Sequence, residues 1–190
     1  MASELFVQTI KGPTSGVNAN KVIIPSGQTL DASAGGMTLP SGVGGKVLQV
    51  VQTVKTNAET SSSGSYVDSG LSVTITPSST SSKVLITVSI QIGCNTGSAN
   101  VDLRLRNDTA GTNLSSDPRY TDRWPSDGQS AYYCHNLHFE HLDSPSTTSA
   151  TTYKVQMKTN AGAFQVNQPS NNGGFSNVLV STMTATEIAG

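Results

Sequence analysis

The sequence predicts an all-β protein: an antiparallel β-sandwich, jelly-roll-like in size, over residues 46–190, preceded by an extended N-terminal β arm or stem over residues 1–45. Three observations predict it. Apolar and polar residues alternate at a period of two through most of the chain, the spacing of a strand with one dry face. Apolar residues seldom recur at i, i+3, i+4 and i+7, so no amphipathic helix is written into the pattern. The alternating runs are separated by stretches dense in Ser, Thr, Asn, Gly and Pro, the residues of turns.

The arm comes first. Ile23-Ile24-Pro25-Ser26-Gly27 is echoed by Thr38-Leu39-Pro40-Ser41-Gly42, with Leu30-Asp31-Ala32-Ser33 and Gly35-Gly36 between. Each copy is a short apolar strand closed by a corner in which Pro fixes φ and Gly permits the sharp bend. With so few large side chains the segment cannot bury a core of its own. Ile23, Ile24, Pro25, Leu30, Leu39 and Pro40 must therefore lie against neighbouring chains or against the sandwich.

The strands follow. Lys46–Lys55 and Leu71–Thr76 are rich in Val, Ile and Thr. From Lys83 to Ile92, residues Val84, Ile86, Val88, Ile90 and Ile92 share one face and Leu85, Thr87, Ser89 and Gln91 the other. Val101, Leu103 and Leu105 alternate with Asp102, Arg104 and Arg106, and Tyr153, Val155 and Met157 with Lys154, Gln156 and Lys158. Ala131–Leu142 and Asn177–Ile188 complete about eight strands. Turns are expected at Asn57–Gly64, Pro77–Ser82, Ser144–Ala150 and Gln168–Gly174.

Composition narrows the function. A length of 190 residues allows one domain, or one domain with an appendage. Charged residues are 12% of the chain, about half the roughly 25% of an average soluble protein. Ser and Thr together number 50, so hydroxyls and amides do most of the solubilising. Eleven Lys and Arg against 12 Asp and Glu give a net charge of −1, without the electropositive surplus of a nucleic-acid binder. No stretch approaches the apolar length that crosses a bilayer, and Met1-Ala2-Ser3-Glu4-Leu5-Phe6 is not a secretory start, so neither nucleic acid nor membrane is an expected partner and synthesis is cytosolic. Cys94 and Cys134 are too few for a disulfide scaffold; a bridge between them requires their strands to pair, and cytosolic assembly favours buried thiols.

One segment breaks the alternation. Asn107–Ser130 reads as a long loop holding the single tryptophan, and its Arg119, Tyr120, Asp122, Arg123, Trp124 and Asp127 form a candidate site. An aromatic ring flanked by Asp and Arg can stack on a sugar and bond its hydroxyls. The same residue types are enriched at subunit interfaces, which favours packing over glycan binding. Asp122 and Asp127 lack the carboxylate density of a calcium loop. Cys134-His135-x-x-His138-x-x-His141 invites a metal reading, but on a strand His138 faces away from His135 and His141. Those two would stand roughly 20 Å apart, so only a symmetry axis gathering copies of one histidine would serve a metal. No nucleophile elbow, HExxH motif or phosphate-cradling glycine loop is present, so no enzyme activity and no cofactor is expected.

The chain resembles the short fibre and virion-surface proteins of tailed bacteriophages, the marine cyanobacterial phages in particular. The residues that carry the resemblance are Asn20-Lys21-Val22-Ile23-Ile24-Pro25-Ser26-Gly27-Gln28-Thr29-Leu30-Asp31, Gly45-Lys46-Val47-Leu48-Gln49-Val50-Val51-Gln52, Ser82-Lys83-Val84-Leu85-Ile86-Thr87-Val88-Ser89 and the ending Thr186-Glu187-Ile188-Ala189-Gly190. It implies a non-enzymatic virion protein, made in the host cytoplasm. It also implies a homotrimer that contacts other virion proteins. Two roles compete: a short fibre or capsid-decoration protein, and a fibre tip that attaches to host surface polysaccharide. The long shaft of a typical tail fibre has no counterpart in this sequence.

Overall fold

The structure, a computed structural model, describes residues 14–16, 26, 46–96, 98–114, 120–123, 134–168 and 179–190. The chain divides into two units, Met1–Gly44 and Gly45–Gly190. Of the stem residues, Ile23, Ile24, Pro25, Leu30, Leu39 and Pro40 lie outside the described residues.

Among the described residues the second unit consists of strands without helices: β1 (Val47–Lys55), β2 (Glu59–Ser61), β3 (Val67–Ile75), β4 (Lys83–Cys94), β5 (Asn100–Asn107), β6 (Thr112–Asn113), β7 (Tyr120–Arg123), β8 (His135–Asp143), β9 (Thr151–Thr159), β10 (Phe164–Val166) and β11 (Ser181–Ile188). They form two antiparallel sheets. The first contains β1-β11-β4-β10-β2 with β8 also on β4; the second contains β3-β9-β5-β6 with β7 also on β5. The all-β antiparallel fold expected from the period-two pattern is present.

The hub of the first sheet is β4. Its residues 84–89 pair with both β8 and β11, so those two strands occupy opposite edges. Ile92 pairs with both His135 of β8 and Val166 of β10, which puts β10 on the β11 edge, further along. A 12-residue strand with an unbroken apolar face can serve three partners because every second side chain stays dry. Val84, Ile86, Val88, Ile90 and Ile92 are all fully buried.

The opposite layer of the core comes from Leu71, Val73 and Ile75 of β3, Val101, Leu103 and Leu105 of β5, and Tyr153, Val155 and Met157 of β9. Met183 and Ala185 of β11 and Phe139 of β8 complete the first sheet's side. Each is the inward member of an alternating pair. The sandwich is held mainly by apolar area removed from water, worth roughly 25 cal/mol per Å².

Three features correct the reading from sequence. The segment Asn107–Ser130 is not free of strands: β6 and β7 both lie within it and pair with β5. The expected turn Asn57–Gly64 contains β2, which pairs with β10, a short strand that follows β9 in the chain. All four strands are two to four residues long, too short to display a period. The strand expected over Asn177–Ile188 begins at Ser181, and that over Leu71–Thr76 begins earlier, at Val67.

The early start of β3 is accommodated by a bulge. Asp68 pairs with Gln156 and Ser72 with Lys154, so three residues of β3 oppose one of β9. Ser69 Oγ replaces the lost ladder bond by donating to Val155 O at 2.8 Å. Gly70 adopts φ +75, and a Cβ there would come within 2.6 Å of Lys55 Nζ. The positive φ favours glycine, and a Cβ there would oblige the Lys55 ammonium to move aside.

Candidate functional site

The two sheets present very different outer faces, and the candidate residues distribute between them. On the outside of the second sheet, β5 offers Asp102, Arg104 and Arg106 directly opposite Lys158, Gln156 and Lys154 of β9. Lys154 Nζ donates to Asp68 at 2.8 Å and lies 2.9 Å from an Asp108 oxygen. Arg104 Nε donates to Gln156 Oε1 at 2.9 Å, and Gln156 Nε2 to Asp68 Oδ1 at 2.8 Å. The ion pairs with Asp68 and then Asp108 raise the pKa of Lys154. Burial pushes the Asp68 carboxyl up, but its bonds from Lys154 and Gln156 outweigh that and hold it below the ordinary carboxylate range.

Over this network lies one aromatic ring. Arg104 Cζ is 4.1 Å and Lys158 Nζ 4.6 Å from the centroid of the Tyr66 ring. Both are within cation–π range. Sequence alternation placed Arg104 and Lys158 on the outer face, but nothing local to Tyr66, in a Ser-rich turn, announced that its ring would cover them.

The candidate loop enters the fold beside this cluster. In β7, Tyr120 stands opposite Leu103, Thr121 opposite Asp102, Asp122 opposite Val101 and Arg123 opposite Asn100. The fold thus anchors Tyr120, Asp122 and Arg123 on the β5 edge of the second sheet. Arg119, Trp124 and Asp127 lie outside the described residues.

The three histidines all fall on β8, as a strand requires. His135 and His141 are half-buried and His138 is exposed, on the opposite face. Their register partners on β4 are Ile92, Ser89 and Ile86 for His135, His138 and His141, which spaces them along the strand. Among the described residues no group of three His, Cys, Asp or Glu could hold a metal ion.

Cys94 and Cys134 are both free. Their strands do pair, but the ladder ends at Ile92 and His135. Cys94 is buried in the core, whereas Cys134 is half-buried just outside the ladder. Burial pushes the Cys134 thiol up to about 11, and raises that of Cys94 as well. Burial thus holds both thiols toward the protonated form.

A cleft of about 210 Å³ opens among Asn107, Thr109, Ala110, Pro145, Thr147 and Thr151. Beneath it Asp143 Oδ2 accepts from Tyr153 Oη at 2.8 Å and from Asn107 Nδ2 at 3.2 Å. Burial and then the Asp143 carboxylate raise the Tyr153 pKa well above its usual value, so the phenol remains a donor. The three side chains brace the loops at this end of the sandwich.

Comparison with known proteins adds one kind of neighbour. The chain is similar to a structure of the Gx strain of infectious bursal disease virus, with 12% identity and a TM-score of 0.42, over 75% of this chain and 37% of that one. It is similar also to the VP2 subviral particle of infectious bursal disease virus, at 13% identity and a TM-score of 0.39, over 75% and 37%. The chain therefore spans just over a third of the length of those proteins. No family model and no curated protein matches it.

Proposed function

We propose that this chain is a non-enzymatic structural protein of a bacteriophage particle, a trimeric short fibre or decoration protein on the virion surface, made in the host cytoplasm. The observation that carries the reading is the unequal treatment of the two outer faces. Charges are concentrated and interlocked on the second sheet, while the first sheet leaves Val47, Leu48, Val50, Val54 and Leu142 exposed. Exposed apolar side chains gathered on one face of a sheet favour contact with protein. The fibre-like sequence of residues 20–31 supports the same reading, with the arm docking the sandwich on the particle. The test is a chain lacking residues 1–44. It should retain the β-type circular dichroism of the sandwich and fail to enter particles. A truncated chain still incorporated at the normal copy number overturns the docking role.

A second reading, a fibre tip that holds a host surface glycan, is favoured by the Tyr66 cluster beside β7, where ring and cations adjoin the candidate loop. Trp124→Ala separates the two. If Trp124 packs at an interface, its loss costs about 3 to 5 kcal/mol and lowers the melting temperature, and this is the expected outcome. If it stacks on a sugar, stability changes by only about 0.5 kcal/mol while binding to host cells is lost.

A further inference from the structure

Five of the six large hydrophobic residues that are exposed among the described residues belong to one surface. Leu48, Val50 and Val54 are outward positions of β1, Leu142 is an outward position of β8, and Val47 pairs with Ile188 at the start of the β1–β11 ladder.

The register joins them into rows. One row crosses the sheet as Val50, Thr186, Leu85 and Leu142, the next as Gln52, Thr184, Thr87 and Glu140, the third as Val54, Thr182, Ser89 and His138. Across β1, β11, β4 and β8, Lys83 and Glu140 are the only Lys, Arg, Asp or Glu at outward positions. Its polar groups are already satisfied within the face in two places. Gln52 Nε2 donates to Thr184 Oγ1 at 3.0 Å, and Asn136 Nδ2 to Ser89 Oγ at 3.0 Å. Four of the twelve row positions are Val or Leu, and Val50, Val54 and Leu142 are exposed, so covering the rows removes apolar area from water, while Glu140 needs an opposite charge or a place at the rim.

We infer that this outer face of β1, β11, β4 and β8 is covered by a second copy of the same chain. Two properties select a copy over a different partner. A nearly uncharged face gives a foreign protein little to recognise by charge, yet it meets a neighbouring copy without like-charge repulsion. The size also fits: four strands about 4.8 Å apart and some eight residues long at about 3.3 Å cover roughly 500 Å². Two such surfaces total about 1,000 Å², the threshold a biological interface must clear and below the roughly 1,200 Å² of a standard one. The second edge of β1, which carries no strand among the described residues, adds backbone groups that a copy can pair with. In a threefold assembly the face turns toward the axis, and the ion-paired second sheet remains in water. The inference rests on the structural reading above only in supposing that the protein is built into an assembly.

The test uses the purified full chain, away from any particle, so that its failure is distinct from failure of the virion reading. Sedimentation at about 10 µM should give an oligomer. Val50→Glu places an unpaired charge in the contact and should raise the dissociation constant about a hundredfold or more. Ser72→Glu, on the outer face of the second sheet beside Lys154, should leave it unchanged. Should Val50→Glu fail to fold, footprinting of the unaltered chain decides: the methyl groups of Val50 and Leu142 should be protected and lose protection on dilution. A monomeric full chain overturns the inference, as does an oligomer indifferent to Val50→Glu. Protection of Val50 and Leu142 in a monomer overturns it too, assigning the face to residues 1–44.

Discussion

At the scale of single residues, Glu187 shows how this fold tolerates a charge in a place that polar patterning does not announce. It is an inward residue of β11, fully buried. Its carboxylate accepts from Ser78 N and Ser78 Oγ, both at 2.7 Å, and from Gln49 Nε2 at 2.6 Å. Burial alone would raise its pKa, but the donors outweigh burial and lower it from 4.5 to about 2. A carboxyl whose folded pKa is depressed contributes stability above its unfolded value and loses it as pH falls through the folded one. The contribution is therefore complete above about pH 4.5 and is lost toward pH 2. Glu187→Gln is expected to lower the melting temperature by several degrees at pH 7, and to flatten the fall in melting temperature between pH 4.5 and 2. A variant whose melting temperature declines in that range as steeply as the parent's would show that other groups carry the acid sensitivity. The sequence displayed Glu187 as one more charged residue near a strand end. Its donors are 109 and 138 positions away, and no local pattern contains them.

At the scale of elements, the long strands were legible and their joints were not. β4, β5 and β9 follow directly from alternation, because a strand with one dry face imposes that alternation on eight to twelve residues. The join between β10 and β11 along β4 depends instead on Asn167. Its backbone N–H donates to Gln91 O at 3.0 Å. Its side-chain amide donates to Lys55 O at 2.8 Å and Asn57 O at 3.2 Å, and its Oδ1 accepts from Ser181 Oγ at 2.6 Å. The residue has φ +61, a region Asn tolerates better than other non-glycine residues. Asn167→Ala leaves buried groups of Lys55 and Ser181 without their partner and strains the backbone, together about 3 kcal/mol. Asn167→Gly relieves the strain alone and should lose less. Urea midpoints order the three proteins, and an alanine variant as stable as the glycine variant would remove strain from the account. The candidate loop failed at the same scale: β7 has four residues, and what defines it is pairing with β5.

At the scale of the whole molecule, the sandwich could be read from period and turns, but which strand neighbours which could not. Alternation states which face of a strand is dry and is silent about its edges. The same limit hid the contrast between the outer faces. Arg104, Lys154 and Lys158 were legible as outward residues of the second sheet, whereas nothing in the strand runs of β1 and β8 said that their Val and Leu would stand on an exposed face until the register placed them there.

The strand order carries a consequence in time. β11 lies between β1 and β4, bonded to Val47–Lys55 on one side and Lys83–Ser89 on the other. A growing chain that has not reached Ser181 holds two matched strand edges with no strand to join them. Long-range pairing of this kind folds slowly and leaves unpaired edges open to wrong partners meanwhile. Synthesis in a crowded cell would thus make the completion of β11 the event that separates a vulnerable nascent chain from a closed sheet.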